Sequence, residues 1–160
     1  VVATGSTGET TRRNSMTLAN VAYSTTLTWA NPLFLDLEGQ MIASLRFWPI
    51  LVERTPAILL GPLAVEPALQ GRGIGKALVR HGLTTAKQLG HRLCVVVGEP
   101  EYYGPYGFRN AAAAGLVLPG PVDPRRFQVL ELVPGALDGV KGMVRRDERP
   151  RGLKRGQRVA

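Results

Sequence analysis

The apolar run Ile58-Leu59-Leu60-Gly61-Pro62-Leu63-Ala64-Val65 stops at Glu66-Pro67, and Gln70-Gly71-Arg72-Gly73-Ile74-Gly75-Lys76 then opens an amphipathic stretch. A β-branched run, Arg92-Leu93-Cys94-Val95-Val96-Val97, follows the helix. Strand, helix and strand in that order leave few folds open, because a right-handed crossover makes the two strands parallel neighbours. The glycines narrow the choice further. At a strand-to-helix junction they mark a place where backbone must approach something closely. Free N–H groups and the positive dipole end at a helix start favour an anion, most often a phosphate. A phosphate-bearing ligand on residues 70–76 is therefore expected.

Three glycine motifs compete for this stretch. A P-loop needs G-x-x-x-x-G-K-[ST], but Gln70 stands at its first glycine and Ala77 at its hydroxyl. The dinucleotide fingerprint G-x-G-x-x-G, started at Gly71 and Gly73, meets Lys76 where it needs glycine. What fits is Q-x-x-G-x-G, here Gln70, Gly73 and Gly75, after a strand ending Leu-Ala-Val and before an amphipathic helix. That pattern resembles the pyrophosphate-binding motif of the GNAT superfamily of acetyl-CoA-dependent N-acetyltransferases. The likeness is carried by LGPLAVEPALQGRGIGKALV and GHRLCVVVGEPEYYGPYGF, spans roughly Gln40 to Val144, and looks like the small bacterial single-domain branch.

The rest of the chain is read in order. Residues 1–31 are rich in Thr, Ser, Asn and Gly, and Met16 to Tyr23 fits two helical turns or a strand. Nothing in them resembles the family's opening elements, so the N-terminal elements are expected to be truncated or divergent. Leu33 to Leu37, Glu38-Gly39 and Gln40 to Trp48 read as a hairpin. Alternation puts Ile42, Ser44, Arg46 and Trp48 on one face and Met41, Ala43, Leu45 and Phe47 on the other. Pro49 should end or kink that strand, with Ile50 to Val52 extending the pairing. Glu53 to Pro56 reads as a turn, and Ala57 to Val65 as a central strand covered on both faces. Gly73 to Leu89 is the best helix, with Ile74, Ala77, Leu78, Leu83, Thr85, Ala86 and Leu89 on its inner face. Gly90 suits a left-handed C′ position. Beyond it, one helical turn is expected at Glu101 to Tyr103. Two more strands follow, Leu116 to Leu118 and Phe127 to Leu132, ending as the family does in an antiparallel pair.

The resemblance implies an α/β GNAT-type fold: a mixed, mostly antiparallel sheet with a splayed parallel pair flanking the cofactor helix. It divides the chain into an atypical segment 1–31, a domain 32–144 and a basic tail 145–160. It implies acetyl-CoA as cofactor, held by Gln70, Gly71, Arg72, Gly73, Ile74, Gly75 and Lys76 around the pyrophosphate, with Leu63, Ala64 and Val65 pairing with the pantetheine arm. Tyr103, first residue of Tyr103-Gly104-Pro105-Tyr106-Gly107-Phe108, aligns with the family's tyrosine. A phenol near pKa 10 can protonate a thiolate near 8.5, so the resemblance gives Tyr103 the general-acid role, with Tyr102 and Tyr106 as alternatives. Glu66 is the nearest carboxylate to act as base, followed by Glu99 and Glu101. Acetyl transfer to a primary amine of a small molecule or protein is the implied function, and an acyl-CoA-binding or sensing module without turnover is the alternative. A homodimer is compatible with it.

Composition excludes several other classes. With 160 residues, one domain with its own core is expected. Cys94 is the single cysteine, so no intrachain disulfide forms, which is compatible with a cytoplasmic location. No apolar run of about 18 residues is present to span a membrane, and residues 1–15 do not read as a signal peptide. No Cys/His cluster has metal-ligand spacing, so no metal is expected. The net charge of +8 concentrates in residues 145–160, which carry +5 and leave +3 for the remainder. That distribution argues against a dedicated nucleic-acid surface and leaves the tail a weak polyanion contact at most.

Overall fold

The computed structural model of the chain describes residues 3–4, 10–11, 33–35 and 40–148. Most of the atypical N-terminal segment, including Met16 to Tyr23, lies outside the described residues, as do residues 149–160 of the basic tail. At the N-terminus β1 (Ala3–Thr4) pairs antiparallel with β2 (Thr10–Thr11).

β4 (Met41–Val52) runs through the middle of the main sheet. One edge of it pairs antiparallel with β5 (Thr55–Val65). The other is shared by β3 (Leu33–Leu35), against Met41 to Ser44, and β10 (Gly142–Arg146), against Ile50 to Val52. The expected hairpin of β3 and β4 forms. Pro49 does not end its strand, which continues to Val52. In an antiparallel strand a residue's N–H and C=O point to the same side, and the Pro49 carbonyl accepts from Asp147 N–H just past the end of β10. The donor that proline lacks therefore faces this last contact beyond β10 rather than β5, and the pairing of β4 with β5 loses no hydrogen bond. The turn to β5 takes only Glu53 and Arg54, and Thr55 and Pro56 already belong to the strand.

β5 then pairs parallel with β6 (Leu93–Val97), the two being connected by α1 (Ile74–Gln88). β9 (Phe127–Glu131) adds antiparallel to β6, and β7 (Arg109–Asn110) to β9. At the opposite edge β8 (Leu116–Val117) pairs with β10, in parallel. The last strands thus differ from the expected antiparallel pair: β8 is the edge beyond β10, while β9 lies on the other side of β4, between β6 and β7. β10 was not foreseen as a strand. It takes in Arg145 and Arg146, which the sequence assigned to the basic tail, and Arg145 donates two hydrogen bonds to the Glu53 carbonyl (3.0 and 2.6 Å).

Two cores follow from strand alternation. Ala43, Leu45 and Phe47 of β4, Ile58 and Leu60 of β5, and Cys94 and Val96 of β6 face α1. Ile50, Val52, Ala57, Leu93, Val95, Val129 and Val144 face the other way, onto Ala111, Leu116, Ala136 and Leu137. The stripe that α1 buries is Leu78, Val79, Gly82, Leu83 and Ala86. Ala77 and Leu89, assigned inward from the sequence, are exposed, while Val79 and Gly82 replace them. The helix ends as expected: Gly90 has φ +87°, its N–H donates to Lys87 and the next N–H, of His91, donates to Ala86.

At Gly82 the helix packs directly on the sheet. A Cβ there would sit 2.8 Å from Leu45 Cδ2 and 2.9 Å from Phe47 Cε2. Overpacking a core contact of this kind costs about 1–3 kcal/mol. Gly82→Val is expected to lose that amount in urea unfolding with an unchanged m-value, despite the better helix propensity of valine.

Candidate functional site: a cleft where two parallel strands separate

The parallel pairing of β5 and β6 covers only Ile58, Leu59 and Leu60, matched to Cys94, Val95 and Val96. Immediately afterwards β5 bulges. Its register against β4 shifts as Leu45 pairs with Leu63 and Phe47 with Leu60, so that Gly61 and Pro62 together oppose Arg46. Gly61 has φ +135°, a conformation that L residues rarely adopt, and its bond to Pro62 is cis. A bulge bends its strand and increases the local twist, and here β5 turns away from β6. Leu63, Ala64 and Val65 stay paired to Leu45, Ser44 and Ala43 on one side. Their other edge pairs with no strand among the described residues. The sequence expectation of full coverage therefore holds for Ala57, Ile58 and Leu60, whereas Leu59 and Leu63 to Val65 are only half-buried.

The chain then makes a 3₁₀ turn, Pro67–Leu69, and returns into α1. Gln70 Nε2 donates to the Val65 carbonyl (3.2 Å), fastening this loop to the strand end. Gly71 and Gly73 have φ +78° and +82°, so the loop's path needs glycine at both places. Gly73 is the N-cap of α1. No side chain caps the helix and no acidic residue occupies its first turn. Its first helical hydrogen bond runs from Ala77 N–H to the Gly73 carbonyl (2.9 Å), so the N–H groups of Ile74, Gly75 and Lys76 have no helical partner. Gly75 has a different reason for lacking a side chain. A Cβ would lie 2.9 Å from Tyr102 Oη and 3.4 Å from Val65 Cγ2.

These parts enclose a cleft of about 420 Å³, lined by Leu63, Val65, Leu69, Gln70, Gly71, Gly73, Ile74, Gly75, Lys76 and Tyr102. Eight of the ten residues expected to hold the cofactor line it. Ala64 projects to the other face of β5, beside its partner Ser44, and Arg72 is exposed outside the lining. Leu69 was missed: a single leucine in the loop gave no periodic signal. Glu66 is exposed at the end of β5, its N–H donating to the Ile42 carbonyl (2.8 Å), and it does not line the cleft.

The tyrosines come from α2 (Pro100–Tyr103) and the 3₁₀ turn Gly104–Tyr106. Tyr102 and Tyr103 meet edge to face at 4.9 Å, and Tyr106 is within 6.5 Å of both. Tyr103 is 9% exposed, packs edge-on against Phe108 and lies across Gly98, where any Cβ would collide with its ring. Burial, and then the neighbouring Tyr102, push its phenol up to about 12. Tyr102 is the tyrosine that reaches the cleft. Its phenol is also raised by burial, and a hydrogen bond with Tyr106 opposes the shift. Arg80 stands over the Tyr106 ring at 6.0 Å. Cys94 is fully buried, its thiol driven far up by burial, and forms part of the core. Among the described residues no three His, Cys, Asp or Glu side chains cluster to hold a metal, and no helix is long and apolar enough to cross a membrane.

The GNAT acetyltransferase family model matches residues 11–101. The chain belongs to the GNAT acetyltransferase family. That match reaches back to residue 11, into the segment that bore no likeness by motif alone. The uncharacterized N-acetyltransferase YhbS of Escherichia coli is 36% identical over 111 residues, covering 68% of this chain and 66% of the relative. The chain thus spans just under two thirds of that relative's length. The crystal structure of Escherichia coli YhbS in complex with CoA superposes with a TM-score of 0.69 at 35% identity, covering 72% of this chain and 66% of that one. A GNAT family acetyltransferase from Brucella melitensis, in complex with acetyl-CoA, gives 0.55 at 31% identity, covering 71% and 63%. The mixed sheet with its splayed parallel pair is the fold of this family.

A titration checks the placement of Tyr103. A raised phenol pKa means that the folded state holds its proton more tightly than the unfolded chain does. Its contribution is complete below pH 10 and is lost as pH rises from 10 through about 12. Phenolate absorbance should show one tyrosine ionising near pH 12, and Tyr103→Phe should remove that last step. Loss of an earlier step instead would place Tyr103 in a wetter environment.

Proposed function

We propose that this GNAT family chain transfers the acetyl group of acetyl-CoA directly to a primary amine. The observation that carries the reading is the cleft. One wall is a strand edge that pairs with no strand among the described residues, and the end wall is a helix start whose first N–H groups have no helical partner. The two neighbours with CoA or acetyl-CoA bound support it. An extended, amide-bearing arm ending in phosphates matches both walls: amides continue the ladder on Leu63 to Val65, and anionic oxygens accept from Ile74, Gly75 and Lys76. Gln70, Gly71 and Gly73 shape that loop, and Arg72 and Lys76 add positive charge beside it. A thioester supplies the activated acyl group when the cofactor is bound.

In the transfer the amine nitrogen bonds to the acyl carbon, the carbon–sulfur bond breaks, and the amine's proton must leave while the sulfur gains one. A backbone N–H near Val65, on the free edge of β5, stabilises the oxyanion of the tetrahedral state. Glu66, at the end of that strand, takes the amine's proton directly or through water. Tyr103 gives a proton to the sulfur. Its high pKa keeps it protonated at neutral pH and also makes it a weak acid, so its donation must follow the build-up of charge on sulfur rather than precede it. Tyr102 is the rival for this role, because its hydroxyl lines the cleft.

Thiol release from acetyl-CoA across an amine library separates an enzyme from a binding module. Tyr103→Phe should lower kcat by about 10²-fold or more with acetyl-CoA affinity kept. Tyr102→Phe should mainly weaken acetyl-CoA binding. The reverse pattern would transfer the acid role to Tyr102, and release with no amine in the library would favour a sensor.

A further inference from the structure

Arg46 lies on the face of β4 turned away from α1, directly opposite the Gly61–Pro62 bulge. Its Nε is buried and has no hydrogen-bond partner among the described residues. The guanidinium stacks over the Trp48 ring, 5.1 Å from its centroid. Trp48 is itself pinned to the bulge, its Nε1 donating to the Gly61 carbonyl (2.9 Å), yet the residue stays 43% exposed. None of the ion pairs among the described residues, Arg109–Glu131, Arg125–Glu101 and Arg126–Glu99, includes Arg46. A half-buried cation with an unmet donor is a costly arrangement unless something offsets it.

Its position gives it a use. The pairing of β5 with β6 ends at Leu60, one residue before the bulge that faces Arg46. The proposed cofactor cleft occupies the α1 side, where Leu63 and Val65 point. In a ternary complex the second reactant must reach the acyl carbon from the side that the first leaves open. That side carries Ser44, Arg46 and Trp48 of β4 and Ala64 of β5. We infer that Arg46, held against Trp48 at the bulge, binds a carboxylate on the acceptor, so that the amine acetylated belongs to an amino acid or another carboxylate-bearing amine. A guanidinium presents parallel N–H donors that match a carboxylate in geometry and charge. The exposed indole beside it offers apolar area for the acceptor's carbon skeleton. This assignment rests on the acetyltransferase reading for the position of the acyl carbon, but carboxylate binding itself does not require turnover.

The test uses the full chain with Trp29→Phe, which leaves Trp48 as the remaining tryptophan of two. Indole fluorescence is followed during titration with N-acetylated glycine, leucine and glutamate and with their C-terminal amides, with and without CoA. At least one acid should saturate and its amide bind about 10- to 100-fold more weakly. Arg46→Gln should abolish that difference and Arg46→Lys restore part of it, with CoA affinity and thermal unfolding unchanged in both. Acids and amides that bind alike, acids that never saturate, or an Arg46→Gln variant that keeps the preference would overturn the assignment. So would loss of CoA affinity or of stability in both variants, which would make Arg46 a structural residue. Carboxylate selectivity in a chain that binds no CoA would sustain the Arg46 site and sink the acetyltransferase reading.

Discussion

A strand inside a sheet ordinarily has both edges paired, because backbone N–H and C=O groups without partners are costly once water is excluded. β5 meets that requirement for Ile58 to Leu60 and departs from it for Leu63 to Val65. The bulge at Gly61–Pro62 separates the two regimes. Gly61 adopts a backbone conformation open to glycine, and Pro62 has no N–H to offer a neighbour. The strand therefore leaves β6 just where continued pairing would have closed the sheet. The site depends on that separation for the free edge of β5 and for the cleft beside it.

The loop after β5 completes the arrangement. Gln70 ties it to the Val65 carbonyl, Gly71 and Gly73 let it turn, and α1 starts with its N–H groups aimed back toward the strand end. Gly75 lets the helix and Tyr102 approach each other. The two hydrophobic cores make this geometry rigid. One clamps α1 against Ala43, Leu45 and Phe47, with Gly82 setting the distance, and the other holds the remaining half of the sheet from the opposite face. A site made of backbone groups gains its precision from such packing, because no side-chain rotamer needs to be fixed to place the donors.

Much of this was legible in the sequence, for physical reasons. An apolar run, a glycine-dense turn, an amphipathic helix with Gly90 after it and a β-branched run can hardly be read otherwise. The hairpin of β3 and β4 announced itself through alternation and Glu38-Gly39. What was not legible depends on neighbours. Pro49 looks like a strand terminator until the position of its missing N–H is seen relative to the end of β10. Arg145 and Arg146 look like a solvated tail until they pair with Leu51 and Ile50. Gly82 carries no hydrophobic signal, so the inner stripe of α1 was centred wrongly, and Ala77 and Leu89 were included in its place. The bulge was visible only as Gly61-Pro62 within an apolar run. The motif pointed to Tyr103, whereas the cleft is lined by the residue before it, because α2 turns Tyr103 inward over Gly98.

Everything at this cleft turns on whether the start of α1 holds the cofactor's phosphates. Calorimetric titration of acetyl-CoA into the wild-type chain and into Gly73→Asp tests this most directly, since the substitution puts a carboxylate and a disfavoured positive φ at the N-cap. Wild type should bind, and the variant should bind at least about 10-fold more weakly while remaining folded. Equal affinity in the two proteins would contradict the assignment of this cleft.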